Sequence, residues 1–157
     1  MRRVDKEIKD PAIISRIISQ NQVCRLGLAK DNVPYIVPVS FGYDGSALYI
    51  HTARTGRKIE FIEANPHVCF ECEQGVALKP HDSDPCSWTF SFQSVIGYGV
   101  IRELTDPVEA TAALQLIMGQ YSERQWSFTE ESIAPLRIWK IMIESVTGKQ
   151  SKDKVVS

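Results

Sequence analysis

The residues best suited to chemistry lie where an apolar strand runs into a basic turn, between His51 and Phe61. Arg57 and Lys58 follow Gly56 there, at the predicted start of a helix. A helix N-terminus presents unpaired backbone N–H groups and the positive end of the helix dipole, so it stabilises an anion. The junction therefore predicts a phosphate pocket, although basic residues near a turn are more often plain solvated surface.

His51 ends the preceding strand directly beside this turn and is a candidate catalytic residue. Its imidazole could exchange protons near neutral pH, but a histidine that is simply satisfied at a strand end fits the sequence equally well. Trp139 alternates with Ile141 and Ile143, which is more typical of a core residue than of a ring-stacking platform.

Other constellations are weaker. Cys69 and Cys72 have the C-x-x-C spacing, but side chains three apart on a strand point to opposite faces, so we expect buried thiols and no redox or zinc site. The polar loop from Lys79 to Cys86 holds His, Asp and Cys side chains, yet no second cluster completes a metal site. No nucleophile-elbow, P-loop or Rossmann glycine pattern is present in the sequence.

The bulk composition limits the class of protein. With 157 residues, 43% hydrophobic and 24% charged, the chain is predicted to form one soluble globular domain over residues 1–149, followed by a polar tail over 150–157. The net charge of -1 argues against nucleic-acid binding. The sequence contains neither a signal-peptide pattern nor a long apolar run, so we expect a cytoplasmic protein with no membrane partner and reduced cysteines.

Periodicity predicts the elements that position these residues. The run from Pro34 to Tyr43 has the clearest period-2 pattern, and Pro38 and Gly42 within it indicate either an edge strand or close approach by a ligand. Asp44-Gly45 predicts a tight hairpin turn after it. The predicted strands are 23–29, 34–43, 47–52, 68–73, 136–146 and a hairpin of 88–95 with 96–104, and the predicted helices are 11–19, 56–65 and 105–119. This order favours an α+β, mainly β protein, a closed antiparallel barrel with peripheral helices.

Several of these segments resemble one family in order and spacing. They are Met1–Arg3, Pro34–Tyr43, Tyr49–Ala53, Gly56–Lys58 and Ser94–Gly99. Together they resemble the flavin-binding split-barrel proteins related to pyridoxamine 5'-phosphate oxidase, in the branch of the nitroimidazole-resistance (Nim-type) proteins. The resemblance extends over roughly residues 1 to 149.

The resemblance implies a homodimer of six-stranded split barrels with FMN at the subunit interface. Arg57 and Lys58 match the family's phosphate-clamping pair, and Ser94 matches a position that reaches the phosphate or ribityl chain. The full set of residues that it places at the cofactor is Val37, Pro38, Val39, His51, Thr52, Arg57, Lys58, Gln93, Ser94 and Trp139. A dianionic phosphate requires cations and N–H donors, and a flat ring system requires a smooth strand surface, so the physical chemistry agrees.

One departure bears on the reaction. Pyridoxamine phosphate oxidases carry a C-terminal segment with arginine and histidine that grips the substrate phosphate, whereas this sequence ends differently after Thr147-Gly148-Lys149. The resemblance therefore favours an FMN-dependent oxidoreductase acting on small compounds such as nitroimidazole-type nitroaromatics, with His51 assisting proton delivery. Two alternatives stay open: a non-catalytic flavin-binding, storage or sensor protein, and a cleft that holds haem or a deazaflavin with His51 as ligand.

Overall fold

The computed structural model describes residues 3–154. Its strands are β1 (Glu7–Ile8), β2 (Cys24–Lys30), β3 (Val33–Val39), β4 (Gly42–Tyr43), β5 (Ala47–Ala53), β6 (His67–Lys79), β7 (Thr89–Glu103) and β8 (Leu136–Gln150). The α-helices are α1 (Pro11–Gln20), α2 (Arg57–Ala64), α3 (Pro107–Gly119) and α4 (Glu130–Ile133). Met1 and Arg2, which belong to one of the segments that carry the resemblance, and the end of the predicted tail at 155–157 lie outside the described residues.

All strands join one antiparallel sheet in the order β3-β2-β6-β7-β8-β5-β4, with β1 on β8. Six strands are long and two have only two residues, so the six-stranded mainly-β prediction is confirmed with two short additions. Within residues 3–154 no ladder joins β3 to β4 or β5, and the barrel is therefore split rather than closed. β3 is an edge strand, as Pro38 predicted.

The predicted strand from Pro34 to Tyr43 is interrupted after Val39. The backbone N–H of Phe41 donates to the hydroxyl of Tyr121 at 2.8 Å instead of joining a ladder. A Cβ on Gly42 would lie within 2.6 Å of the Leu116 backbone, so α3, not a ligand, explains this glycine. The prediction of one continuous strand was wrong because contacts with α3 determine the path of the chain here.

The predicted hairpin between 88–95 and 96–104 was also wrong, since β7 is one continuous strand. Gly97 and Gly99 lie inside this strand, where packing requires them. A Cβ on Gly97 would collide with the ring of the buried Phe70. A β-bulge lies at these glycines, because the register against β8 shifts between Tyr98 and Gly99.

Two apolar cores hold the sheet. The main core fills the barrel beneath α1 and α2, with Phe41, Phe70 and Ile141 fully buried. The second core lies on the other face of β5 and β8, where α3 packs over Tyr49 and Ile138. Alternate residues of β5 thus serve different cores, which decides where the side chains at its end can point.

The predicted helix starts are confirmed. Asp10 caps α1 by accepting the N–H of Ala12 at 2.8 Å, and Asp106 caps α3 by accepting that of Glu109 at 2.9 Å. At the C-terminal end of the domain, Gln150 ends β8 and, like Ser151, is buried. No helix in the described part of the chain is long and apolar enough to cross a membrane.

Candidate functional site

The start of α2 carries two cations without acidic partners. Gly56 provides the N-cap with a φ of 125°, a conformation that favours glycine, and no side chain caps the helix. Among the described residues, neither Arg57 nor Lys58 makes an ion pair. The helix start therefore combines open N–H donors with two uncompensated positive charges.

Aromatic rings fix Arg57 beside β3. Its guanidinium lies 5.2 Å from the centre of the Tyr35 ring and 5.6 Å from that of Phe61. Tyr35 is two residues before Val37 on β3, so the start of α2 and the edge strand meet at this point. The structure thereby brings Arg57 together with the strand that carries Val37, Pro38 and Val39.

These three β3 residues do not share one face. Val39 is buried and Val37 packs against the main core, whereas Pro38 is exposed on the opposite face. Only Pro38 and the free backbone edge of β3 are thus open to a ligand directly, and the valines support the strand from behind. Their predicted place at a ring system stays a prediction.

His51 is half-buried beside Lys58. Burial lowers the pKa of His51, and the charge of Lys58 lowers it further; burial also lowers the pKa of Lys58. The Nδ1 atom of His51 is buried and has no hydrogen-bond partner among the described residues. This corner therefore holds a half-buried lysine that makes no ion pair with a described residue, next to an imidazole nitrogen that lacks a hydrogen-bond partner. Such a site favours binding of an external anion or polar group.

These features suit a bound phosphate group. An anion at the α2 start would accept backbone N–H bonds and balance the charges of Arg57 and Lys58. The edge of β3 supplies a flat surface beside it.

Thr52 and Trp139 lie below the surface, on the other face of β5 from His51. The indole N–H of Trp139 donates to Thr52 Oγ1 at 3.0 Å, and the Thr52 hydroxyl donates to the carbonyl of Ala53 at 2.9 Å. Both residues are buried in or beside the main core. Any part they play at a cofactor would be to support the end of β5, and their predicted contacts stay predictions.

Arg137 covers this pair and was not found from the sequence. Its guanidinium lies 4.5 Å above the Trp139 ring, donates to both carboxylate oxygens of Glu103 at 2.8 and 2.6 Å, and bonds Glu63 of α2 at 2.6 Å. Hydrogen bonds to Glu103 and Glu63 raise the pKa of Arg137. The cluster ties α2 to β7 and β8, but no local pattern around position 137 predicts partners so distant in sequence.

Gln93 and Ser94 lie far from this corner within one chain. Gln93 sits in a row of amides, accepting from Gln74 at 3.1 Å and donating to Gln150 at 3.0 Å. His51 pairs with Ile138 of β8, and the carbonyl of Ile138 accepts the N–H of Leu104, the residue that follows β7. Ser94 lies ten residues before Leu104, or about 30 Å of extended strand. The structure does not bring these two residues to the α2 start.

The two sites that the sequence disfavoured remain without support. Cys72 is buried and faces the main core, whereas Cys69 is partly exposed on the other side of β6, as the strand geometry predicts. In the loop after β6, the carboxylate of Asp84 accepts the N–H of Cys86 at 2.9 Å. Residues 3–154 contain no cluster of three side chains able to hold a metal ion.

The fold and the corner around α2 define a class: a split barrel with a basic helix start beside the edge of its sheet. A comparison with known families agrees, since the family described as pyridoxamine 5'-phosphate oxidase matches residues 10–150. The chain belongs to this family, which confirms the resemblance.

Solved structures give the same fold. A candidate 5-nitroimidazole antibiotic resistance protein from Bacteroides thetaiotaomicron VPI-5482 is 31% identical, with a TM-score of 0.82 over 91% of this chain and 85% of that one. An FAD-binding protein from Mesorhizobium loti is 25% identical, with a TM-score of 0.66 over 90% and 95% of the two chains. The FAD- and haem-binding protein of Mycobacterium smegmatis is 14% identical with a TM-score of 0.83 over 94% and 74%, and shares the fold alone.

A curated relative matches only in part. Protein RA0666 of Rhizobium meliloti (strain 1021), described as uncharacterized, is 31% identical over 55 residues. The match spans 35% of this chain and 36% of that relative, so it adds a local similarity and no functional assignment.

Proposed function

We propose that this protein is an FMN-binding oxidoreductase of the pyridoxamine 5'-phosphate oxidase-like superfamily that works as a homodimer. One observation carries the proposal: the start of α2 holds Arg57 and Lys58 without counterions, directly beside the free edge of β3. Family membership and the flavin-binding structural neighbour support a flavin as the ligand that binds at the start of α2. The single phosphate of FMN matches a single helix start.

Arg57, Lys58 and the N–H groups at the start of α2 would hold the phosphate. Because Arg57 is steadied by Tyr35 and Phe61, it would offer its guanidinium in a fixed orientation. The β3 edge with Pro38 would flank the ring system. When bound, the flavin supplies the electron transfer, and the protein supplies position and charge.

His51 would contribute an imidazole that is neutral near pH 7, because burial and Lys58 both lower its pKa. Its unsatisfied Nδ1 is then available as a hydrogen-bond partner or proton acceptor. A bound phosphate beside Lys58 would offset the charge of that lysine and raise the pKa of His51. Proton delivery by His51 therefore depends on an anion at the site, which links its chemistry to cofactor binding.

The separation of two sets of predicted contacts favours a dimer. His51, Arg57 and Lys58 lie at one end of the sheet, whereas Gln93 and Ser94 lie most of the length of β7 away. A single mononucleotide would not reach both sets within one chain. We therefore assign the two sets to different subunits, which would form two equivalent clefts across a twofold axis.

For the substrate we propose small nitroaromatic compounds of the nitroimidazole type. The nitroimidazole-resistance description of the Bacteroides relative motivates this choice. The second candidate function, a non-catalytic flavin carrier or sensor, is favoured by the lowered pKa of His51, since a neutral imidazole is a poor acid. Both candidates use the same binding corner.

Absorbance spectra of the purified protein with added FMN test the binding step. We expect a flavin spectrum perturbed from that of free FMN, and a protein that leaves the FMN spectrum and fluorescence unchanged would contradict the proposal. Reoxidation of the reduced complex by a nitroimidazole under anaerobic conditions then tests catalysis. His51→Ala should slow this turnover while leaving FMN affinity within about threefold, whereas turnover equal to that of free reduced FMN would favour the carrier or sensor.

A further inference from the structure

A cavity lies on the α3 side of the sheet, and Arg54, in the short segment between β5 and α2, lines part of it. It has a volume of about 610 Å³, is open to solvent on one side, and lies between α3, α4 and the adjoining ends of β7 and β8. This volume is in the range of small-molecule sites in proteins. No residue in the set predicted to hold the flavin lines it.

The inner wall of the cavity is apolar. Leu104 and Ile138 form its floor and are almost completely buried, and the half-buried Phe128, Ile133 and Leu136 surround them. All five belong to or pack against the second core. Phe128 offers a ring face for stacking, so the wall suits a flat aromatic group.

The rim of the cavity carries a tethered arginine. One guanidinium nitrogen of Arg54 donates to the carbonyl of Ala134 at 3.0 Å, which orients the side chain across the opening. Arg54 makes no ion pair with any described residue, whereas Arg137 in the same wall is already occupied by Glu103 and Glu63. Arg54 is thus the cation in this wall with free donors, and its planar fork matches a carboxylate.

From this arrangement we infer that the cavity binds a one-ring aromatic carboxylate, with the ring against Phe128 and the carboxylate on Arg54. Glu130, exposed at the α4 side, repels an anion there and so orients the ligand with its charge towards Arg54. The floor residue Ile138 pairs directly with His51 across β5 and β8. The cavity therefore abuts the strand end that carries His51, and the inference that such a ligand is also a substrate rests on the proposed function.

Titration calorimetry with benzoate on the full chain tests the site, with benzamide as a neutral probe of the same shape. We expect benzoate to bind, and Arg54→Gln to weaken benzoate at least about 10-fold while changing benzamide little. Phe128→Ala should weaken both probes. Arg16→Gln, which removes an exposed arginine from α1, serves as the charge control.

Unchanged benzoate affinity in Arg54→Gln, or no benzoate binding at millimolar concentration, would overturn the inference. FMN binding is followed by absorbance in the same samples. A protein that binds FMN but not benzoate would disprove only the aromatic carboxylate site, and one that binds benzoate but not FMN would disprove only the proposed function. Circular dichroism shows whether Arg54→Gln and Arg54→Lys are folded. Arg54→Lys should retain part of the benzoate affinity, because it keeps the positive charge. A folded Arg54→Gln variant with weaker benzoate binding has therefore lost the carboxylate contact and not its fold.

Discussion

Lys58 of α2 and Arg137 of β8 are two cations near the end of β5, and their surroundings differ in one decisive respect. Arg137 is 16% exposed and is fully matched by Glu103, Glu63 and the ring of Trp139. Lys58 is also partly buried but has no acidic partner among residues 3–154, and burial lowers its pKa whereas hydrogen bonds raise that of Arg137. A matched cation stabilises the fold, and an unmatched one is a place for an anion from outside.

The presence or absence of an acidic partner distinguishes a structural cation from a functional one more clearly than the residue type does. Lys58 belongs to α2 and Arg137 bonds Glu63 of that helix, so both would be counted as basic residues near a cleft. Of these two cations, Arg137 is paired, whereas Lys58 makes no ion pair with any described residue. The comparison therefore makes opposite predictions for the two residues.

Replacing Arg137 should have the largest effect on stability. Arg137→Met leaves Glu103 and Glu63 unpaired and should lower the free energy of unfolding by about 2–3 kcal/mol, measured by urea denaturation. Arg25→Met is the control, because Arg25 also bridges two glutamates but is 50% exposed, so it should cost less than about 1 kcal/mol. An equal loss of unfolding free energy in the two variants would contradict the claim that the paired, mostly buried Arg137 stabilises the fold more than an exposed arginine does.

Replacing Lys58 should have a smaller effect of opposite sign. In the absence of flavin, Lys58→Met removes an unpaired, half-buried charge and should leave the free energy of unfolding unchanged or raise it by up to about 1 kcal/mol. The gain should disappear when FMN is present, since the variant loses the ligand's stabilisation. A loss above about 1 kcal/mol without flavin would show that Lys58 has an internal structural partner.

The titration of His51 should report the same unmatched charge. By proton NMR, its pKa should lie below the ordinary value of about 6.5 and should rise in Lys58→Met. Because the unfolded chain binds the proton more readily, this histidine makes the protein less stable as the pH falls through and below about 6.5. A His51 pKa that stays the same in Lys58→Met would show that the charge of Lys58 does not influence His51.

The sequence was most informative where local chemistry decides structure. The first and third helices, the edge strand with Pro38 and the basic start of α2 were predicted because each depends on neighbouring residues. The break after Val39 could not be predicted, since Tyr121 lies 80 residues away and forms the bond that causes it.

The candidate site divides in the same way. Arg57 and Lys58 follow from a helix start, whereas the stacking of Arg57 on Tyr35 and the cluster at Arg137 depend on pairings across the sheet. The sequence puts His51 and Thr52 at neighbouring positions of one strand, but it does not tell which core each side chain faces. That required the position of α3 over the second face of β5.

The most direct test compares FMN with riboflavin, which lacks the phosphate, in the wild-type protein and in Arg57→Ala/Lys58→Ala. If the unmatched cations hold the phosphate, the wild-type protein should bind FMN about 100-fold or more tightly than riboflavin, by fluorescence titration. The double variant should lose most of this preference while keeping its riboflavin affinity. A preference for FMN that survives in the double variant would contradict the account.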